Sequence, residues 1–243
     1  MKSAVNLLIL VCLFVGSSQA CFDTYLLLQK GSTALSQGRL VVEGSGEYNV
    51  IGPFMQKQTL FTGDINLMYG FTDHFTFQFG AGSAEKPTPA FSIDQYAVRG
   101  TYNLFSTPGN TYSFDVVLEH HGSFDISESG IELSTPNIYH FNNVSLIAHP
   151  ALAFSTSSSA SLRGHGGIFY RFGSSAIVGL GAEFNSAQSA GSLGRRLVES
   201  ERATSLFLGS QIGQGVFFQN EFIKGWGGNT KDYGYAATIK LLW

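Results

Sequence analysis

The residues best equipped for chemistry cluster at Glu119-His120-His121-Gly122-Ser123. A serine becomes a nucleophile when a nearby base takes its proton, and His121, two residues before Ser123, is of the right type. The same five residues also read as a polar cluster at a loop edge. His120, His121, His140, His149 and His165 could approach one another across neighbouring strands. Isolated histidines on a polar wall are usually hydrated or paired, so no metal site is expected. No phosphate loop, dinucleotide fingerprint or zinc-protease helix occurs. The glycine-rich pieces GSGEYNVIG and FGAGSAEK fall in strands or hairpins, with no following helix to bind phosphate. The expectation is a protein with no catalytic residue, no metal and no cofactor.

The elements that position these residues alternate with period two. From Gly38 onward, Leu40, Val42, Gly44, Gly46 and Tyr48 share one face and Arg39, Val41, Glu43, Ser45 and Glu47 the other. Phe61, Ile65, Leu67 and Tyr69 oppose Thr62, Asp64, Asn66 and Met68; Phe75, Phe77 and Phe79 oppose Thr76 and Gln78. This is the signature of half-buried strands, repeated along the chain. Very short turns (YGFTDH at 69–74, YRFGSS at 170–175, IGQG at 212–215) alternate with longer polar connections at 51–57, 84–90, 122–135, 188–199 and 227–231. Short turns at one end and long loops at the other mark a transmembrane β-barrel.

Composition agrees. Of 243 residues, 13% are charged and 14% aromatic, with 29 glycines and a formal net charge of −3. Low charge with many aromatics suits strands whose outer faces meet lipid, and the negative balance argues against nucleic acid as a partner. Residues 1–20 have the plan of a secretory leader: Lys2, the apolar run Val5–Gly16, and a small-x-small site at Ser18 and Ala20. Cleavage there leaves Cys21 alone at the new N-terminus, so no intrachain disulfide forms. Lipidation of Cys21 is the alternative to ordinary cleavage, although Ser18 stands where a lipobox has leucine.

Strands are expected near 38–50, 58–71, 74–83, 91–105, 111–121, 136–143, 146–154, 160–172, 175–187, 201–212, 215–226 and 232–243. The fold class is therefore all-β: a closed antiparallel barrel of about twelve strands, with ten as the alternative, spanning 38–243. The ambiguous stretch is 136–154, split at Asn142-Asn143 to keep the order of turns and loops. Pro150 there would break a ladder bond unless it lies near a strand end or a bulge. Residues 155–160 read as a loop. Residues 21–37 are a periplasmic segment, an extra strand or a plug in the barrel mouth. Tyr69, Phe71, Tyr170 and Phe172 are placed as the girdle at the periplasmic interface.

On this register the inward face carries Glu43, Glu47, Asp64, Arg99, Asp115, Glu119, Arg163, Arg171, Glu183 and Lys240, joined by His121, His149, His165 and Glu221. These line a solute pathway. Alternatively, they pair with one another and seal a narrow lumen.

These residues resemble bacterial outer-membrane β-barrel proteins as a class. The leader, the YGFTDHFTFQFG hairpin and the closing YGYAATIKLLW carry the resemblance. In that class the last strand ends in an aromatic preceded by alternating apolar residues, which the barrel-assembly machinery reads. Tyr235, Ala237, Ile239, Leu241 and Trp243 match this signal. The YGFTD-type turn is similar to that of the twelve-stranded channel-like proteins linked to phenol meta-pathway clusters. The resemblance implies the bacterial outer membrane as location, with outer-membrane lipid, lipopolysaccharide and the assembly machinery as partners. Arg195-Arg196 could touch lipopolysaccharide phosphates, or form a solvated loop pair beside Glu199 and Glu201.

His121-x-Ser123 also resembles the His-x-Ser element of outer-membrane phospholipase A and the lipid A deacylases, but Phe124 stands where those families have asparagine. The leading expectation is a passive channel for small solutes. A sealed barrel that displays its loops is the second reading and a lipid hydrolase a distant third. The sequence leaves open whether the barrel stands alone or as a homo-oligomer.

Overall fold

A computed structural model describes residues 22–51, 58–83, 87, 92–124, 129–156, 158–186, 201–226 and 231–243. The leader, Cys21, Arg195-Arg196 and most of the longer loops lie outside the described residues. A short helix, α1 (Thr24–Leu28), precedes an antiparallel meander. Its strands are β1 (Leu40–Ile51), β2 (Gln58–Thr72), β3 (Phe75–Gly82), β4 (Gln95–Ser106), β5 (Tyr112–Ser123), β6 (Ser129–Ser134) and β7 (Asn137–Phe141). They continue as β8 (Val144–Ser155), β9 (Ser158–Phe172), β10 (Ala176–Asn185), β11 (Glu201–Gln211), β12 (Val216–Gly225) and β13 (Lys231–Leu242).

The sheet closes on itself. β1 pairs with β13 through Glu43↔Lys240 and Tyr48↔Tyr235, and Leu40 and Trp243 exchange backbone hydrogen bonds of 3.1 and 2.9 Å. Trp243 is thereby part of the seam, and among the described residues every strand has a neighbour on both sides.

Thirteen segments make twelve staves, because β6 and β7 are one strand. Both pair with β5 in one register (Val117↔Ser134, Phe114↔Asn137) and both with β8 in one register (Ser134↔Ala151, Asn137↔Ala148). The interruption at Thr135-Pro136 has a covalent cause. Pro136 accepts from the Asp115 N–H at 2.9 Å but has no N–H to return, and Pro150 accepts from Thr135 at 3.0 Å with the same deficiency. Pro150 thus lies within β8, its ring on the exposed face, opposite this gap.

The split at Asn142-Asn143 is as expected, with Asn142 at φ +50° making the tight turn. Two expectations are corrected. Residues 122–135 are not one long loop, since β5 runs to Ser123 and β6 begins at Ser129. Alternation in SGIELS was obscured by flanking turn-forming residues and Pro136. Likewise 155–160 is mostly strand, with β8 ending at Ser155 and β9 starting at Ser158.

The faces are inverted relative to a soluble protein. On β5, Leu118 is 56% exposed and the adjacent Glu119 only 7%. Ile65, Leu146, Leu180, Leu206 and Phe222 are exposed, while Asn66, Ser145, Ser205 and Glu221 are buried. Such an exterior is stable only against hydrocarbon. Exposed aromatics gather at the turn side in edge-on pairs, with centroids 4.9 Å apart for Tyr69–Phe71 and for Tyr170–Phe172. Tyr235 and Trp243 lie on the same outer face of β13, alternating with buried Ala236, Thr238 and Lys240.

Candidate functional site

A twelve-stave barrel is wider than its wall side chains can fill. Here the turn-side half of the lumen is filled by residues 22–37. Asp23 caps α1, accepting from the Tyr25 and Leu26 amides at 3.0 and 3.2 Å. A helix of five residues has no stability of its own, so tertiary contacts hold it.

Part of the wall beneath it is apolar. Ile138, Phe169, Ile177, Phe207 and Phe217 point inward from β7, β9, β10, β11 and β12, and Phe22, Leu27 and Leu28 pack on them. Phe22 stacks edge-on against Phe169 and Phe207 at 5.2 and 5.5 Å, and Tyr25 against Phe217 at 5.5 Å. Inward glycines make room for the rings: a Cβ at Gly179 would collide with the Phe169 ring, and one at Gly181 would meet both Phe207 and Phe22. On the other side Leu26 and Leu35 pack with Val41 and Met68. Burial raises the Tyr25 phenol pKa, keeping the hydroxyl neutral at neutral pH.

Polar ties fix the segment around the wall. Lys240 on β13, 2% exposed, donates to Asp23 at 2.7 Å and lies 2.5 Å from Glu43 on β1. One ammonium therefore joins the segment to both sides of the closing seam. Thr24 donates to Gln219 of β12 at 2.6 Å, Thr33 to Asp115 of β5 at 2.7 Å, and the Leu35 amide to Thr76 of β3 at 2.7 Å. His140 of β7 meets the Gly31 carbonyl at 3.1 Å. Because these ties satisfy buried polar groups of the wall, each resists withdrawal of the segment.

Toward the loop side the lumen is polar. Arg99 pairs with Glu119 across β4–β5 at 2.5 Å, and Arg163 with Glu132 at 2.8 Å. His165 stands 3.7 Å from Glu183 and its ring 5.6 Å from that of His149. Glu47 and Glu221, 1% and 3% exposed, flank Ala236 in the ladder. A small cavity of about 130 Å³ lies between the inserted segment and the wall, bounded by Asp23, Glu43, Arg99, Glu119 and Lys240 together with apolar Leu26, Leu27, Met68 and Ile138. A cup of about 310 Å³ follows toward the loop side, lined by residues including Asp64, Asn66, Gln95, Glu119, His121 and Arg163.

The inward set is thus distributed over three levels. Lys240, Glu43 and Asp115 engage the N-terminal segment, while Arg99, Glu119, Arg163, Glu47, Asp64 and Glu183 lie toward the loop side. Arg171 sits at the turn rim, donating to the Asn142 carbonyl. Beside these inward charges the wall carries an apolar arc, which parity places as inward Phe169, Ile177, Phe207 and Phe217 among inward glycines. Asp23, Gln219 and Glu132 were missed. Glu132 lay in the stretch read as loop, and Asp23 gave no sign of which wall residue it would meet.

His121 and Ser123 face the lumen rather than the outer leaflet, and Ser123 Oγ makes no hydrogen bond to His121. His121 Nδ1 lies 3.8 Å from Glu119.

No family model matches the chain, and no curated protein matches it in sequence. Solved structures do. The NanC porin aligns with a TM-score of 0.59 at 8% identity, over 83% of this chain and 98% of that one. The fold is an outer-membrane β-barrel. The KdgM porin in complex with disordered oligogalacturonate gives 0.57 at 10% identity, over 84% and 98%. Outer membrane protein Omp33 of Acinetobacter baumannii gives 0.53 at 12% identity, over 85% and 99%. At these identities the likeness is one of architecture. With the apolar exterior and girdle, it marks the chain as a closed β-barrel built to sit in lipid, with the architecture seen in small porins.

Proposed function

We propose that the protein is a small-solute channel of the outer membrane whose resting state is closed at the periplasmic end by its own N-terminal segment. The observation that carries this reading is the succession within one lumen. A polar cup and a smaller cavity of mixed lining lead inward from the loop side and end on a separable strap of chain. A polar wall provides for hydrated solutes, and its paired arginines and glutamates stay oriented as solutes pass. Passage needs no bond-making, only displacement of residues 22–37.

The same strap also favours a second reading, a permanently sealed barrel that displays its loops. Planar-bilayer conductance separates the two. The native barrel should show little or rare current, and a variant lacking residues 22–35 should conduct steadily. A deletion variant that retains its heat-dependent gel shift yet never conducts would end the channel reading and leave the sealed one.

A further inference from the structure

The loop-side cup has a construction that neither the segment nor the seam explains. Three of its polar residues stand directly across the ladder from glycine: Asp64↔Gly82 and Asn66↔Gly80 between β2 and β3, His121↔Gly130 between β5 and β6. In each pair the side chain lies over the bare glycine. A Cβ at Gly80 would collide with Asn66 Oδ1, one at Gly82 with Asp64 Oδ1, and one at Gly130 with His121 Nε2. Interior glycines weaken a strand, so three at one level of one lumen call for a reason. Their effect is to let polar groups lie flat against the wall and keep about 310 Å³ open. That volume is at the lower end of ligand sites, which run from about 300 to 1,000 Å³.

We infer that this cup binds a small, neutral, polyhydroxylated solute of monosaccharide size. The inference deepens the channel reading by naming the solute class. The lining offers donors and acceptors in close alternation: the Asn66 and Gln95 amides, the Asp64 and Glu119 carboxylates, the His121 imidazole and the Arg163 guanidinium. Vicinal hydroxyls, each both donor and acceptor, satisfy such a set without leaving a buried group unpaired. An apolar solute finds no large side chain free to pack on it, because the Tyr96 ring is engaged with His120 and Phe124 and the other apolar lining residues are alanines. Charge selects against acids. Arg163 is held by Glu132 and Arg99 by Glu119, so neither guanidinium is committed to an entering anion, and Asp64 adds a further carboxylate to the lining.

The test is saturation-transfer NMR on the folded, full-length barrel, in a detergent without a sugar headgroup, with glucose, galacturonate and ethylenediamine as probes. Transfer to the glucose ring protons is expected, exceeding that to the other two. Gly80→Val should weaken it about tenfold or more, the loss of roughly one well-made contact, because the new side chain drives Asn66 into the cup. Gly44→Ala, whose Cβ meets nothing within 4 Å, should leave it unchanged. If Gly80→Val loses its heat-dependent gel shift, Gln95→Leu tests the same wall. Absence of transfer to glucose, stronger transfer to galacturonate or ethylenediamine, or full binding by the filled variant would overturn the inference. Binding is read without current. A barrel that binds glucose but never conducts would therefore sink the channel reading alone, and one that conducts but does not bind would sink the site alone.

Discussion

Replacing Lys240 by methionine should release the N-terminal segment while leaving the barrel closed. Methionine keeps much of the stem that packs in the wall and removes the charge between Asp23 and Glu43, at 2.7 and 2.5 Å. Breaking one partner out of a buried ion pair costs about 3–5 kcal/mol, mostly because the remaining charge is left uncompensated. Asp23 keeps 23% of its side-chain exposure, so the lower end applies. About 3 kcal/mol corresponds to roughly a hundredfold rise in the open population of the segment. The β-ladder of the seam keeps its backbone bonds, so the gel shift of the folded barrel should persist.

Trypsin cleavage after Lys30, an exposed residue just beyond α1, reports the open population when reclosing is fast. The expected result is cleavage faster by about two orders of magnitude in Lys240→Met. Adding Asp23→Asn and Glu43→Gln should restore most of the protection, because it removes the stranded charges. Cleavage within about threefold of native in the single variant would refute the latch, since that corresponds to under 1 kcal/mol.

Other expectations follow from the same geometry. Phe22→Ala removes the ring packed on Phe169 and Phe207. It should open the segment by an equilibrium factor corresponding to about 3 kcal/mol or more, read by the same proteolysis, with no change in the barrel's thermal gel shift. Gly179→Ala places a methyl against the Phe169 ring and should destabilise that arc by about 1–3 kcal/mol, lowering the temperature of the gel shift. Leu206→Arg puts a charge mid-strand on the lipid face and should cost about 2–4 kcal/mol of folding into bilayers. Ser205→Arg, one residue away on the lumen face, should insert far better, and equal insertion of the two would show the assigned faces to be wrong.

Much of the barrel was legible because lipid and lumen impose alternation on every stave. Leu118 beside Glu119, or Leu206 beside Ser205, declares its side whatever its neighbours. Turn positions were equally plain where geometry demands a residue type, as at Asn142-Asn143. Legibility failed where the structure depends on contacts distant in sequence. TYLLL is too short for helical periodicity to show, and its place is set by Phe169, Phe207 and Phe217, far along the chain. The split of one stave into β6 and β7 needs two prolines, Pro136 and Pro150, to fall one register step apart on neighbouring strands of a ladder whose register the sequence does not print. The inward residues were identified by parity, but pairing Arg163 with Glu132 or Lys240 with Asp23 requires knowing which levels of the barrel coincide.

The central claim is that residues 22–37 are lodged inside the barrel. Hydrogen exchange of the native, membrane-embedded protein tests this directly. Amides at Thr24, Gly31 and Leu35 donate to Gln219, Leu26 and Thr76 inside the lumen, and should exchange orders of magnitude more slowly than a free chain. Exchange of these three at free-chain rates, in a barrel whose β1 and β13 amides stay protected, would contradict the account.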